Sequence, residues 1–302
     1  MIDKSRLTVL CGAVLLFAAL AIGGEQNEPQ TTAEESFLRL RKSAAGEPIA
    51  LETAIASYAP QGPSQRLTVD LVGAVHIADK SYYEQLNKTF KTYDVVLYEL
   101  VAPPNTKPRP GQRSISSVSF LQLTMKNLLN LEFQLDRIKY DRPNFVHADM
   151  TPEEFSKTMA QRGESFSQMF LRMLGQSIAM QSKDPGRSGD AQLLAALFSA
   201  REQRAARLKR VMAEQFQDIE AATSILDGPD GSTILTERNK AALCVLAEQI
   251  KAGKARIAIF YGAAHLPDME ERLVKEFHLK KTGTRWLSAW DLKASGTPAS
   301  KE

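Results

Sequence analysis

The sequence is poor in cysteine, since only Cys11 and Cys244 occur among its 302 residues. Cys11 lies in an apolar N-terminal run, so removal of that run would leave one thiol and no internal disulfide. Apolar neighbours at helical spacing surround Cys244 in KAALCVLAEQI, which predicts a buried and unreactive thiol. A fold held together by disulfides is therefore excluded, and a domain of this size can bury enough apolar surface without them.

The chain also lacks a strong charge of either sign. Its formal net charge is +3, and no dense run of Lys or Arg is present. We therefore expect no nucleic-acid partner. With 43% hydrophobic and 24% charged residues, the composition is typical of an ordinary globular protein.

One long apolar run stands at the N-terminus. Residues 7–22 carry no charge, follow Lys4 and Arg6, and precede Gly23, Gly24 and a polar stretch. This arrangement is typical of a secretory signal peptide, which we predict for residues 1–24. An uncleaved membrane anchor is the alternative, although the run is somewhat short for a spanning helix. We expect an exported protein, periplasmic or extracellular, that touches a membrane only if this segment is retained.

The rest of the chain alternates apolar strands with helices that start at recognisable caps. Residues 25–47 are predicted to be a linker and a short helix, residues 48–295 one domain, and residues 296–302 a disordered tail. A helical insertion is expected at 113–230. Because strands lead directly into capped helices, an α/β fold is favoured over a helical bundle. The expected architecture is a central mixed β-sheet flanked by helices, with a long all-helical insertion.

Two copies of a G-A-x-H pattern end in His76 and His265, each after a predicted strand and before a predicted helix. His147 stands at a similar junction, and Glu99 ends another strand. The carboxyl ends of parallel strands form one rim of a sheet, so these four side chains are expected to converge there. Imidazoles and a carboxylate can hold a divalent transition metal. A lone histidine at such a position is more often structural, and the duplication favours a site.

Further residues qualify this site. Gly73 and Gly262 lie three residues before their histidines, where the missing side chain would let the backbone turn tightly or a ligand approach. Arg238 and Asn239 lie early in a predicted helix, in TERNK. They are candidate catalytic residues together with Glu99, and a solvated helix face is the alternative interpretation for them.

The segment from VDLVGAVHIADK to VVLYEL resembles the N-terminal signature of the TraB/GumN/Tiki superfamily, a strand with G-x-x-H, a helix, and a strand ending in Glu. LTERNKAALCVLAEQI with RIAIFYGAAHLPDMEERL is similar to its C-terminal signature. The resemblance covers residues 50–102 and 233–292. It implies a core like that of erythromycin-esterase-like and haem-binding ChaN-like proteins, with His76, Glu99 and His265 in the pocket and Arg238 or Asn239 on the helix.

The Tiki members are metal-dependent, membrane-anchored proteases, so the resemblance implies a metal-dependent hydrolase acting on a peptide or small molecule. Mn, Co or Zn would be held by His76, His265 and Glu99, with His147 added from topology. Two alternatives stay open. One is a metal-free esterase-like enzyme in which His76 is the general base and Glu99 orients it. The other is a binding protein for haem or a peptide, with Tyr98 or Tyr261 as a candidate axial ligand.

Overall fold

The computed structural model describes residues 36–62, 66–109, 111, 129, 131–165, 204–214, 227 and 230–293. The predicted signal peptide, the first part of the linker and the tail 296–302 lie outside these residues, as does much of the predicted insertion. In the part of the chain that is described, no helix has both the length and the apolar character needed to cross a bilayer.

The strands are β1 (Leu38–Lys42), β2 (Pro48–Pro60), β3 (Thr68–Ala74), β4 (Ile77–Ala78), β5 (Val95–Tyr98), β6 (Glu132–Phe133), β7 (Phe145–His147), β8 (Arg256–Gly262) and β9 (Leu279–Asp291). The labelled helices are α1 (Lys80–Thr89), α2 (Gln134–Arg137), α3 (Pro152–Gln161), α4 (Arg238–Lys251) and α5 (Leu266–Lys275). Residues 204–214 are also helical, and a π-helical turn, Thr233–Glu237, leads directly into α4.

The main sheet runs in the order β1-β2-β3-β8-β5-β7, with β9 paired to β2. β1, β3 and β9 are antiparallel to β2, whereas β3, β8, β5 and β7 are mutually parallel. The predicted α/β class with a central mixed sheet is therefore confirmed. β4 and β6 form a separate two-stranded sheet.

The parallel strands lie in the interior because most of their residues are apolar. β5 is buried throughout, and β8 is buried from Ile257 to Tyr261. Such continuous apolar runs suit strands that are covered on both faces. The register places Ala74 of β3 opposite Gly262 of β8, and Tyr98 of β5 opposite Phe260 of β8. The strands thus end at one level and create one rim.

Helices leave this rim directly. α3 begins with a capping box, in which the Thr151 hydroxyl accepts the Glu154 N–H and the Glu154 carboxylate accepts the Thr151 N–H. α5 follows β8 after one 3-10 turn and buries Leu266, Met269 and Leu273. These short connections fix the direction of each strand end.

The short helix predicted within 25–47 is wrong where the structure describes it, because residues 38–42 form β1. Leu38 and Leu40 are buried while Arg39 and Arg41 both bind Glu52. This alternation has the period of a strand, and it pairs β1 with the N-terminal half of β2. The arginines that looked compatible with a helix are cross-strand partners of a carboxylate.

Two further expectations are corrected. The range 113–230 is not all helical, because it contains β6 and also β7, which is a strand of the main sheet. The helical spacing of apolar residues did not reveal that Phe133 pairs with Ile77. Cys244 is exposed rather than buried, because α4 turns Ala242, Leu243 and Leu246 toward the core and leaves Cys244 between them on the outer side.

Candidate functional site

The rim of the parallel strands collects most of the residues singled out in the sequence. His76 comes two residues after β3, and Glu99 comes directly after β5. His265 ends the 3-10 turn that follows β8. Asp149, which the sequence did not single out, comes two residues after β7. Residues far apart in the chain are therefore brought to one place by the parallel register.

Glu99 is held on both of its carboxylate oxygens. Its Oε1 accepts a hydrogen bond from Arg238 Nη2 at 2.7 Å, and its Oε2 accepts one from the Gly262 N–H at 2.8 Å. The side chain is only 10% exposed. Burial opposes its ionisation, but Arg238, then His265 and His76, hold the pKa of this carboxyl well below its ordinary value of 4.5. Glu99 is therefore a fixed anion and a weak base.

Arg238 lies between two carboxylates at the start of α4. Its Nε and Nη2 donate to the two oxygens of Asp149 at 3.0 and 2.6 Å, in addition to the Glu99 contact. Its side chain is 4% exposed and that of Asp149 is fully buried. Burial disfavours the guanidinium charge, but Asp149 and Glu99 raise the pKa of Arg238 above its ordinary value. This geometry gives Arg238 the role of positioning the Glu99 and Asp149 carboxylates.

His265 is buried and has one ring nitrogen without a partner. Its Nδ1 lies 2.7 Å from Asn239 Oδ1. Within the described part of the chain its Nε2 has no hydrogen-bond partner, and it lies 3.6 Å from Glu99 Oε1. A buried polar atom without a partner is unusual, since most are hydrogen-bonded to protein or water.

Asn239 determines which nitrogen of His265 carries the proton. Its Nδ2 donates to the His265 carbonyl at 3.1 Å and to Asp268 Oδ2 at 2.8 Å. The oxygen of the amide must therefore face His265, so Nδ1 is the donor and Nε2 has a free lone pair. Burial lowers the pKa of His265 from 6.5 to about 4, although the charge of Glu99 opposes this shift. The lone pair is thus available at neutral pH.

His76 lies close enough to influence both Glu99 and His265. Burial raises the pKa of Glu99, and His76 acts against this after Arg238 and His265. For His265, burial lowers the pKa most and Glu99 opposes the shift, while His76 adds to the lowering after Arg238. The side chain is half-buried, and the backbone carbonyl accepts the Gln134 N–H at 2.9 Å. His76 therefore belongs to the same electrostatic centre and forms its more accessible side.

His147 takes no part in this centre. Its Nε2 lies 2.6 Å from the Leu100 carbonyl, and its ring packs against Tyr98. Within the described residues it makes no bond to Glu99 or His265. Asp149 provides the contact from this strand end instead. Asp149 could have been identified from the sequence, because it is a carboxylate in the apolar stretch FVHADM. The same reasoning had already identified Glu99.

The two glycines have different surroundings. A methyl group on Gly262 would lie 3.3 Å from Glu99 Oε2 and 3.6 Å from His265 Cδ2. On Gly73 it would meet the carbonyl oxygens of Ala54 and Phe37, at 3.3 and 3.5 Å. Gly262 therefore makes room for the carboxylate, whereas Gly73 makes room for the neighbouring backbone and does not line the centre.

The donors meet part of what a metal ion requires. Ligands with bonds of about 2.1 Å to one ion stand roughly 3.0–3.5 Å apart, close to the separation of His265 Nε2 and Glu99 Oε1. The two carboxylates and one guanidinium leave an excess negative charge. Among the described residues, however, no three His, Cys, Asp or Glu side chains are grouped as the ligands of one ion.

The candidate haem ligands are engaged elsewhere. Tyr98 and Tyr261 are buried, and their hydroxyls donate to the carbonyls of Thr106 and Ala148. Burial raises the pKa of both hydroxyls, which disfavours the phenolate that would bind an iron. Both hydroxyls are therefore already hydrogen-bonded to backbone carbonyls.

Comparison with known proteins adds no relative. No protein-family model, no curated protein and no solved structure matches the chain. The resemblance to the TraB/GumN/Tiki superfamily therefore stays a prediction that depends on the two quoted segments.

Proposed function

We propose that the chain is a hydrolase whose reactive centre is His265 Nε2 beside Glu99, with a divalent metal as its cofactor. One observation carries the proposal: a buried imidazole nitrogen has a free lone pair, no hydrogen-bond partner among the described residues, and a carboxylate 3.6 Å away. Maintaining such an atom costs about 1–3 kcal/mol of desolvation, which a bound ligand would recover. The excess negative charge favours a cation as that ligand.

Each residue has a role in this proposal. His265 and Glu99 would hold the ion, and His76 would complete the set from the accessible side. Asn239 keeps Nε2 free of its proton, and Arg238 with the Gly262 N–H fixes the direction of Glu99. A bound divalent ion would lower the pKa of a water molecule and polarise a scissile carbonyl. The side chains of His265 and Glu99 are thus held in position before a substrate binds.

A metal-free hydrolase is the second candidate. It is supported by the two N–H groups that already donate hydrogen bonds to the Glu99 carboxylate. It is also supported by the lack, among the described residues, of a group of three side chains that could bind one metal ion. His265 Nε2 would then accept a proton from the attacking water, and Glu99 would stabilise the imidazolium. This differs from the expectation that His76 is the base, because the free lone pair described above belongs to His265.

The two candidates are separated by metal analysis combined with activity. The purified chain would be loaded with Mn²⁺, Co²⁺ or Zn²⁺, dialysed, analysed for bound metal, and assayed on quenched peptides and nitrophenyl esters. We expect one equivalent of metal and a chelator-sensitive hydrolysis that is restored by the ion. His76→Ala and His265→Ala should lose both.

A matched histidine control is available. His278 is exposed and adopts a positive φ of 54°, which Asn tolerates, so His278→Asn should leave metal content and activity unchanged. Chelator-resistant hydrolysis that is lost in His265→Ala would favour the metal-free candidate. No bound metal and no hydrolysis by any form of the chain would overturn both.

A further inference from the structure

A line of hydrogen bonds connects the buried ring of His265 with the surface of α5. Asn239 contacts His265 Nδ1 through its side-chain oxygen and donates from Nδ2 to Asp268 Oδ2 at 2.8 Å. Arg272 Nε donates in turn to the two oxygens of Asp268, at 3.1 and 2.9 Å. Asn239 is fully buried, whereas the side chains of Asp268 and Arg272 are 27% and 20% exposed. The line therefore leads from the reactive centre to solvent.

Asp268 has an ordinary structural explanation, which covers only part of its contacts. It lies in the first turn of α5, where a negative charge interacts favourably with the helix dipole, and it pairs with Arg272 four residues later. Neither effect requires Asn239, which belongs to α4 and stands 29 residues earlier in the chain. The hydrogen bond between the two helices ends on the amide that faces His265. This bond requires an explanation beyond the stability of α5.

The surroundings of Asn239 allow its amide only one orientation. Both partners of Nδ2, the Asp268 carboxylate and the His265 carbonyl, have lone pairs and no proton to donate. A flipped amide would turn its oxygen toward them and lose both hydrogen bonds. It would also turn its N–H groups toward His265 Nδ1, which would then have to accept, so that Nε2 would carry the proton.

Asp268 is the stronger of these two acceptors. Its hydrogen bond from Asn239 is shorter than that of the carbonyl, 2.8 Å against 3.1 Å. Hydrogen bonds to an ionised acceptor are also about twice as strong as those between neutral groups. A neutral amide of the same shape at position 268 could present either an oxygen or an N–H to Asn239. The selection of one orientation therefore depends on the carboxylate, and not on the shape of the side chain.

We propose that Asp268 is a positioning residue that acts through Asn239 to hold His265 in the tautomer with an unprotonated Nε2. This inference deepens the proposed function and rests on it for any effect on catalysis, because it names the group that keeps the same nitrogen available. The tautomer itself is a property of the folded chain without metal or substrate. It can therefore be measured on a chain that hydrolyses nothing.

The tautomer can be determined by NMR on the metal-free chain labelled with ¹⁵N-histidine. At neutral pH the ring of His265 is uncharged, because burial lowers its pKa to about 4. Long-range ¹H–¹⁵N correlation then distinguishes the protonated from the unprotonated ring nitrogen, and the His265 signals are identified by their loss in His265→Gln. We expect a protonated Nδ1 and an unprotonated Nε2 in the parent chain. The reverse result in the parent chain would overturn the inference without any variant of Asp268.

Asp268→Asn and Arg272→Met are a matched pair of variants. Both remove the ion pair on α5, but only Asp268→Asn replaces the carboxylate by a group that can also donate. We expect the Nε2-protonated tautomer to become the major form in Asp268→Asn and to stay minor in Arg272→Met. If about a tenth of the Asp268→Asn molecules kept Nε2 unprotonated, their apparent affinity for Zn²⁺ would fall about tenfold. The melting temperatures of the two variants should change little and by similar amounts.

Two further results would overturn the inference. One is the parent tautomer retained in Asp268→Asn, which would show that the His265 carbonyl alone orients the amide. The other is an equal shift of the tautomer in both variants, which would make the ion pair on α5 the cause. A chain that shows the expected tautomers but binds no metal and hydrolyses nothing would contradict the proposed function and leave this inference standing.

Discussion

Arg238 connects two carboxylates that no other described cation neutralises as closely. Asp149 is fully buried, Glu99 is nearly so, and both lie within 2.7 Å of the guanidinium. A buried ion pair is weak evidence for stability, because desolvation offsets much of the attraction. Removing one partner is different, since the remaining charges are left buried without compensation. Removal of Arg238 is therefore expected to lower stability by more than the net contribution of its ion pairs to the free energy of unfolding.

Arg238→Met should lower the free energy of unfolding by about 3–5 kcal/mol, because Glu99 and Asp149 would stay buried as unpaired anions. Urea denaturation monitored by circular dichroism measures the change. Lys275→Met is the control, since Lys275 pairs with Glu271 at the surface and should change stability by about 0–1 kcal/mol. Equal effects of the two substitutions would contradict the buried network described for Arg238.

The residue types at the site were predictable, but their partners were not. Strand-end positions identified His76, Glu99 and His265 because parallel strands end on one rim. Asn239 was predicted as a candidate catalytic residue, but its contact with His265 was not predicted, since it joins positions 26 residues apart. Asp149 was missed because its significance depends on its burial and on its contact with Arg238. Those properties exist only after the chain has packed.

At the scale of elements, the two glycine-bearing strand ends are not equivalent. β3 and β8 are neighbours in register, and each leads to a histidine. At Gly262 the nearest atom to an added methyl group belongs to a side chain, and at Gly73 it belongs to the backbone of β2. Side chains can move by a few tenths of an ångström, whereas paired strands resist such movement. The same substitution should therefore affect function at one position and stability at the other.

Gly262→Ala should displace the Glu99 carboxylate and reduce metal affinity or hydrolysis about tenfold, with unfolding changed by roughly 1 kcal/mol or less. Gly73→Ala should instead lower the free energy of unfolding by about 1–3 kcal/mol through overpacking against the Ala54 and Phe37 carbonyls. Urea denaturation and a metal titration on both variants distinguish these outcomes. A fully active but unstable Gly262→Ala would reverse the assignment.

The elements themselves were predicted with uneven success, for physical reasons. The capped start of α3 and the apolar run of β8 depend on local sequence, and a capped helix after an apolar strand was predicted for this chain. β1 and β6 were missed because each is defined by a partner strand. Arg39 and Arg41 are compatible with a helix until Glu52 is placed opposite them. Pairing with a strand distant in sequence, rather than local conformational preference, makes these two segments strands.

For the whole molecule, the site makes stability depend on pH. Burial holds the pKa of His265 at about 4 instead of 6.5, so between these values the unfolded chain binds a proton that the folded chain does not. Stability therefore falls as the pH drops through this window. The carboxyl of Glu99 has a folded pKa below its ordinary 4.5, so its contribution is also lost as the pH falls below that value. Both groups act in the same direction.

We expect the melting temperature of the metal-free chain to decline from about pH 6.5 downward and more steeply below about pH 4.5. Thermal unfolding followed by circular dichroism across this range provides the measurement. His265→Gln removes the first titrating group, so the melting temperature of this variant should stay constant until the pH falls to about 4.5. A parent chain whose stability did not change between neutral pH and pH 5 would contradict the buried neutral imidazole.

The position of β8 has a consequence for the order in which the chain can fold. This strand pairs with both β3 and β5, yet its residues are synthesised after all the other strands except β9. Until Arg256–Gly262 is available, β3 and β5 have no common neighbour, and contacts such as Gly262 with Glu99 must close over 163 residues. A chain truncated before β8 should expose two unpaired strand edges and aggregate. In a chain with the predicted signal peptide, the same delay would keep the polypeptide unfolded until translocation is nearly complete.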